Sequence, residues 1–184
     1  FWKMRAFAKE GVKWLESVLQ LALSRVETES EAESIPANVR AKVHLGIAAL
    51  VLELPQSPKV EPIIRQQTDE AIRLFDEVGD HAEMIHAVYV SGGAPWVEGD
   101  FAKAGKIFER GYQLAVRAED AWGIGSCLHC LGHIAQIEGD PQQARREFQS
   151  AYGLSQGDDA FNEDARVQLN NLKLQQALVG LNVR

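Results

Sequence analysis

Apolar and small residues recur along this chain at steps of three and four, which is the spacing of one face of an α-helix. One such stripe lies in segment 101–118 and comprises Phe101, Ala104, Phe108, Gly111 (or Tyr112) and Ala115. A second lies in segment 121–138 and comprises Ile124, Leu128, Leu131 and Ala135. Read along the whole chain, the pattern predicts helices over 1–8, 10–26, 37–54, 60–78, 81–98, 101–118, 121–138, 141–156 and 160–178.

A Gly-Asp pair follows several of the predicted helices, at 79–80, 99–100, 139–140 and 157–158. Glycine adopts the left-handed conformation that ends many helices. Aspartate accepts hydrogen bonds from the exposed amides at the start of the next helix. Pro141 occupies a first-turn position, where a missing N–H costs nothing. The pairs therefore predict helices that stop and restart within a tight turn.

The helices repeat in pairs. A shift of 40 residues superposes the turn at 99–100 on the turn at 139–140. The same shift superposes Ala104, Phe108, Gly111, Tyr112 and Leu114 on Ala144, Phe148, Ala151, Tyr152 and Leu154. We therefore expect an all-α fold of about four helical hairpins with a step of about 40 residues. We expect one domain over 1–184, which is part of a larger protein.

The spacing of Leu131, Gly132, Ala135, Ala144, Phe148 and Ala151 resembles the tetratricopeptide repeat. Small residues there let paired helices approach, and the phenylalanine fills the remaining gap. The resemblance is best over 81–157, and the unit is longer than the usual 34 residues. Long units of this kind are similar to the C-terminal sensor repeats of bacterial multidomain regulatory ATPases, including LuxR-type regulators. The resemblance implies an α-α superhelix (a solenoid) with a binding role in signalling and transcription regulation.

In the resembled repeats, the first helix of each pair lines the concave face of the superhelix. Carrying this over selects Gly93, Ser126, Val43, Ile47 and Leu50, and it places seven partner-binding candidates: Arg40, His86, Tyr89, Trp96, His129, His133 and Gln136. On a helical wheel His129 and His133 lie beside the apolar stripe of their helix, and not within it. The alternative for Tyr89 and Trp96 is packing between neighbouring helices.

The partner expected at this face is a protein or peptide, and another domain of the parent protein is one such partner. The alternative is a small-molecule effector in the same concave groove. The acidic segment 27–36 is either a solvated connector or a docking site for a basic partner. The net charge of −7 argues against direct nucleic-acid binding. No apolar run approaches the roughly 18 residues of a membrane span.

The sequence Cys127-x-x-Cys130-x-x-His133 has the look of a zinc motif. On a straight helix its first and last residues are about 9 Å apart along the axis, too far for one tetrahedral ion. We therefore expect no metal, and we expect the cysteines to be small buried residues of a reducing, cytoplasmic setting. No G-x-S-x-G, H-E-x-x-H or phosphate-binding loop occurs, so we expect no enzyme, catalytic residue or cofactor.

Residues 91–96 contradict the helical pattern around them, because Gly92, Gly93 and Pro95 fall in the middle of the predicted helix 81–98. Each glycine costs about 1 kcal/mol in a helix and an interior proline about 3. Two interpretations stay open: a functional distortion, or close helix packing at Gly92 with a tolerated kink at Pro95.

Overall fold

The computed structural model describes residues 2–28, 35–54, 60–154, 167–168 and 170–172. Its helices are α1 Trp2–Thr28, α2 Ala37–Leu52, α3 Val60–Val78, α4 His81–Glu98, α5 Phe101–Arg117, α6 Ala121–Ile137 and α7 Pro141–Leu154. Residues 167–168 and 170–172 are also helical, and no described residue is in a strand. The predicted all-α class is confirmed. The turn at 157–158, most of helix 160–178 and most of the acidic segment 27–36 lie outside the described residues.

The predicted break between helices 1–8 and 10–26 is wrong, because α1 runs unbroken from Trp2 to Thr28. Gly11 lies inside α1, where a Cβ would come within 2.8 Å of Leu50 Cδ1 on α2. On the other side of this contact, a Cβ at Gly46 would be 3.2 Å from Leu15 Cδ1. The two glycines therefore allow α1 and α2 to approach closely, and Gly11 does not end a helix.

The turns between helices α3 to α7 share one hydrogen-bonding pattern. The backbone N–H groups of Asp80, Asp100, Asp120 and Asp140 each donate to the carbonyl five residues earlier, at 2.9–3.0 Å. The residue before each aspartate has a positive φ: 72° at Gly79, 80° at Gly99, 55° at Glu119 and 83° at Gly139. This arrangement is the Schellman motif, which satisfies the last carbonyls of a helix.

Three of these aspartates also begin the next helix by accepting hydrogen bonds from its free amides. The Asp80 carboxylate accepts from the Glu83 N–H at 3.3 Å, and Asp100 accepts from the Lys103 N–H at 3.0 Å. Asp140 accepts from the Gln143 N–H at 2.9 Å. One residue pair therefore both ends a helix and starts its successor, as the Gly-Asp pattern predicted.

Helices of two kinds alternate along the chain. The odd-numbered helices α3, α5 and α7 are amphipathic, with one apolar stripe and a charged outer face. The even-numbered helices α2, α4 and α6 are apolar on most sides, and α6 contains no Asp, Glu, Lys or Arg. A helix that is apolar all round needs cover on more than one side. The even-numbered helices therefore form the more enclosed half of each hairpin.

The structure forms two compact units, Phe1–Ala104 and Gly105–Arg184. In the first unit α2 packs against α1, α3 and α4, and α3 also packs against α4. Their shared core includes Phe75, Leu74 and Ile64 of α3. Ile47, expected at the concave face, is 1% exposed and lies in this core. That expectation is wrong, because three neighbouring helices surround α2.

In the second unit α6 packs against α7 around one close contact. The buried Phe148 ring of α7 covers Gly132 of α6, where a Cβ would lie 2.9 Å from Phe148 Cε1. Ala135, Ala144 and Leu172 complete this cluster. Phe108 and Phe148, predicted to be buried, are 2% and 0% exposed.

Helix α4 passes through its proline without breaking, and Pro95 is buried inside it. The Pro95 carbonyl accepts the Asp100 N–H at the end of the helix. A Cβ at Gly93 would lie 2.8 Å from Leu52 Cδ1 of α2. The contact at Gly93 favours the interpretation of close packing between α2 and α4, one residue after the position that the sequence indicated.

Replacing Gly132 with alanine tests the close contact between α6 and α7. We expect a net loss of about 1 kcal/mol of stability, because overpacking a buried ring costs about 1–3 kcal/mol while alanine restores about 1 in helix propensity. Gly105→Ala is the matched control, since its Cβ would meet Ile134 Cδ1 at an ordinary 3.5 Å. Urea denaturation should show Gly105→Ala neutral or stabilising; equal stabilisation by both variants would contradict the contact.

Replacing Glu119 with glycine tests the Schellman turns. Glu119 is the only described residue other than glycine with a positive φ, 55°. We expect the variant to gain about 0.5–1 kcal/mol of stability. Glycine relieves the left-handed strain, and the gain is reduced by the greater conformational freedom that glycine gives the unfolded chain. Gly139→Ala should show the opposite effect, and only through backbone strain, because nothing lies within 4 Å of its Cβ position. Thermal denaturation of both variants measures the two changes in stability.

Candidate functional site

One flank of α4 carries three of the predicted partner-binding residues. The His86 side chain is 43% exposed, and its Nδ1 lies 3.6 Å from the Glu83 carboxylate. Tyr89 is half-buried and packs against the core of the first unit. Trp96 is half-buried as well, and its ring meets Phe101 edge-on at 5.5 Å. His86 is therefore presented to solvent, whereas Tyr89 and Trp96 combine packing with partial exposure.

This flank borders the contact between α4 and α2. Lys42 Nζ of α2 lies 3.5 Å from the Glu83 carboxylate, and both side chains remain partly exposed. Gly93, on the same flank as His86, lies against Leu52 of α2. A ligand on this flank would thus meet side chains of both helices.

The three candidates on α6 differ in exposure. His129 is only 9% exposed, and its ring lies edge-on to His133 at 4.7 Å and to Phe148 at 5.9 Å. His133 and Gln136 are half-buried. His129, which the sequence places beside the apolar stripe of α6, is buried because Phe148 of α7 packs against its ring. Ser126, at 2% exposed, is buried too.

The α4 candidates and the α6 candidates belong to different compact units. A continuous strip through both sets therefore stays a prediction. Within the first unit, Arg40 contributes to the electrostatics of Glu70 on α3. It thus lies near a polar cluster between α2 and α3, which the sequence did not reveal.

That cluster is built around Glu70. The Glu70 carboxylate accepts hydrogen bonds from Arg73 Nε at 3.0 Å and Arg73 Nη2 at 2.6 Å. These bonds hold the pKa of Glu70 below its ordinary value, with smaller contributions from His44 and Arg40 and against a partial desolvation. Arg73 also donates to Glu77 at 3.0 Å, so two carboxylates share its charge.

His44 joins the cluster from α2. Its Nδ1 donates to the Gln67 side-chain oxygen at 2.7 Å, because that oxygen can only accept. An open groove of about 780 Å³ adjoins this bond, lined by His44, Pro62, Arg65, Gln66, Gln67, Asp69, Glu70 and Arg73. Apart from Pro62, every lining side chain is polar or charged.

Only part of this groove can be predicted from the amino-acid sequence. The acidic and basic residues of α3 at 70, 73 and 77 have the three- and four-residue spacing of intrahelical ion pairs. His44 and Gln67, however, are 23 residues apart. Their contact follows from how α2 packs against α3, which the spacing of charges does not reveal.

The cysteines of α6 lie in unlike environments. Cys127 is fully buried and Cys130 is half-buried. Burial, with smaller contributions from Cys130 and Asp120, raises the pKa of the Cys127 thiol to about 12. Zinc binds the thiolate, so this burial disfavours metal binding. Among the described residues, no three His, Cys, Asp or Glu side chains are grouped to hold a metal ion.

None of the helices in the described ranges is both long and apolar enough to cross a bilayer. No family model matches the sequence. The chain is similar to three proteins named "Putative HTH-type transcriptional regulator", one from Mycobacterium bovis and two from strains of Mycobacterium tuberculosis. Each is 26% identical over 154 residues, which is 84% of this chain. The chain spans 17% of the length of these relatives.

Alkylation of the native protein tests the environments of the two cysteines. At about pH 8 we expect iodoacetamide to modify Cys130 well before Cys127, because a raised thiol pKa leaves little thiolate to react. Mass spectrometry of the modified peptides measures both rates, and unfolding in urea should make them similar. Chelator should leave the helical circular dichroism unchanged. Purified protein that holds stoichiometric zinc, and loses it in the Cys130→Ser variant, would contradict the expected order of alkylation and the expected resistance to chelator.

Proposed function

We propose that this chain is a protein- or peptide-binding module of a transcriptional regulator, built from tetratricopeptide-like hairpins. The observation that supports the proposal most is the similarity of 84% of the chain to proteins named as HTH-type transcriptional regulators. Because the chain spans 17% of those relatives, we place DNA contact in other parts of the parent protein. The module then senses or recruits a partner, and it is not an enzyme.

The surface proposed for the partner is the flank of α4 that carries His86, Tyr89 and Trp96. Aromatic and histidine side chains provide a large contact area with little loss of side-chain freedom, which suits anchor residues. On α6, the partly exposed His133 and Gln136 extend the proposal to the second unit. His129 supports this surface from beneath, through its packing against Phe148.

A protein or peptide fits the described surfaces better than a small-molecule effector does. Sites for small molecules are mostly enclosed and lined by apolar and aromatic side chains. The groove on α2 and α3 is open and lined by polar side chains. The half-buried rings on α4 lie on a helix flank beside α2, where an extended partner has access.

Photo-crosslinking followed by calorimetry tests the proposed surface. A photoreactive amino acid replaces His86 in one variant and the exposed Arg110 of α5 in a control. We expect a defined protein to be captured at residue 86 and not at residue 110. Once it is purified, His86→Ala should weaken its binding by about 1–2 kcal/mol while leaving the melting temperature nearly unchanged.

Tyr89→Ala supplies the internal comparison. Because Tyr89 packs against the core, we expect its truncation to lower both affinity and thermal stability. Unchanged affinity for the captured protein in both variants would remove the α4 flank from the binding surface. Tight, saturable binding of a metabolite at residue 86, with no captured protein, would favour the effector alternative.

A further inference from the structure

We infer that the groove beside α3 is a second binding site, which recognises an acidic peptide segment through Arg65 and the side-chain amides of Gln66 and Gln67. This site is separate from the α4 flank, and it does not depend on the function proposed there. The groove lies along α3, which is amphipathic and carries many charged side chains, whereas α4 is apolar on most sides.

Most of the acidic groups around the groove already have partners. Both oxygens of Glu70 accept hydrogen bonds from Arg73. Glu77 shares the same guanidinium at 3.0 Å. Charge-assisted bidentate pairs of this kind are geometrically defined. Both oxygens of Glu70 are therefore already engaged by Arg73.

Hydrogen-bond donors, by contrast, remain available to a ligand. Arg65 is exposed, lines the groove and forms no ion pair with any residue in the described ranges. The oxygen of Gln67 accepts from His44, so the amide nitrogen of Gln67 is the end left to donate. Gln66 lines the groove next to it and is exposed.

A further basic side chain lies near the groove on α2, outside the groove's lining. Arg40 precedes His44 by one helical turn, and its charge acts on Glu70. Its Nε is buried and has no hydrogen-bond partner among the described residues. Arg40 therefore adds positive charge near the groove, but its buried Nε is not a contact for a ligand there.

Asp69 is the one carboxylate lining the groove that no described residue engages. Donors from Arg65, Gln66 and Gln67 outnumber this single unpaired carboxylate. An extended peptide matches them, because its backbone carbonyls accept from amides and its acidic side chains accept from the Arg65 fork. A basic segment would find only Asp69 and would be repelled by Arg65.

The test is an NMR titration of the full chain, labelled with ¹⁵N, using capped peptides as probes. One probe alternates glutamate with serine, a second has glutamine in place of glutamate, and a third has lysine. We expect the acidic probe alone to shift the side-chain amide signals of Gln66 and Gln67. The shifts should weaken as salt is added, because exposed charges are screened.

Two substitutions should then change the affinity for the acidic probe in opposite directions. Arg65→Ala should weaken binding of the acidic probe about tenfold, the loss of one charge-assisted contact. Asp69→Asn should strengthen it about two- to fivefold by removing an exposed like charge. A gain of affinity is not a result that partial unfolding produces. Arg110→Ala, an exposed arginine of α5, is the matched control and should change nothing.

Several results would overturn the inference. One is equal binding of the glutamine probe, which would assign the shifts to backbone contacts alone. Another is preferential binding of the lysine probe or weaker binding by Asp69→Asn, which would make the groove a site for cations. An unchanged affinity in Arg65→Ala would place the acidic probe elsewhere. None of these results bears on His86, so a failure here leaves the proposal for α4 to its own test.

Discussion

The backbone bond from each turn aspartate to a carbonyl five residues earlier is the constraint on which the rest of the structure depends. The bond closes only when the intervening residue takes a left-handed conformation, which reverses the chain and prevents the helix from continuing. It recurs every 20 residues, at Asp80, Asp100, Asp120 and Asp140. Because Glu119 adopts this conformation without being glycine, the helices on either side of the turn impose the geometry even where the local sequence opposes it.

A fixed helix length has a chemical consequence. Each hairpin places one helix where neighbours cover it on several sides and one where a face remains in water. The covered helices become apolar on most sides, and α6 has no charged residue, while α3 carries ion pairs on its outer face. Two surfaces of different chemistry result. One presents a few rings of α4 next to α2, and the other presents the charged and amide groups of α3.

The features that the sequence predicted correctly are those that depend on residues close together along the chain. The turns at 79–80, 99–100 and 139–140 were found because glycine and aspartate act within a few residues of their own position. Burial depends on which neighbour covers a flank, and there the pattern was insufficient: it placed His129 and Ile47 at a binding face, and both are buried. The break predicted between helices 1–8 and 10–26 was wrong, and the contact of Gly11 with Leu50 on another helix is not visible in the sequence. The groove was missed for the same reason, since His44 and Gln67 meet only through the packing of α2 on α3.

The difference between features set by local sequence and features set by contact with another helix indicates which positions of this fold tolerate substitution. Positions such as Gly132 and Gly93 are fixed by side chains from another helix, and a larger residue there would collide with Phe148 or Leu52. The pairs of Arg73 with Glu70 and Glu77 are exposed, and exposed ion pairs contribute little to stability. Residues lining the α3 groove can therefore be replaced without disturbing the helical core of the first unit. The fold itself constrains only its turns, close contacts and core, and these are the positions at which a substitution should cost stability.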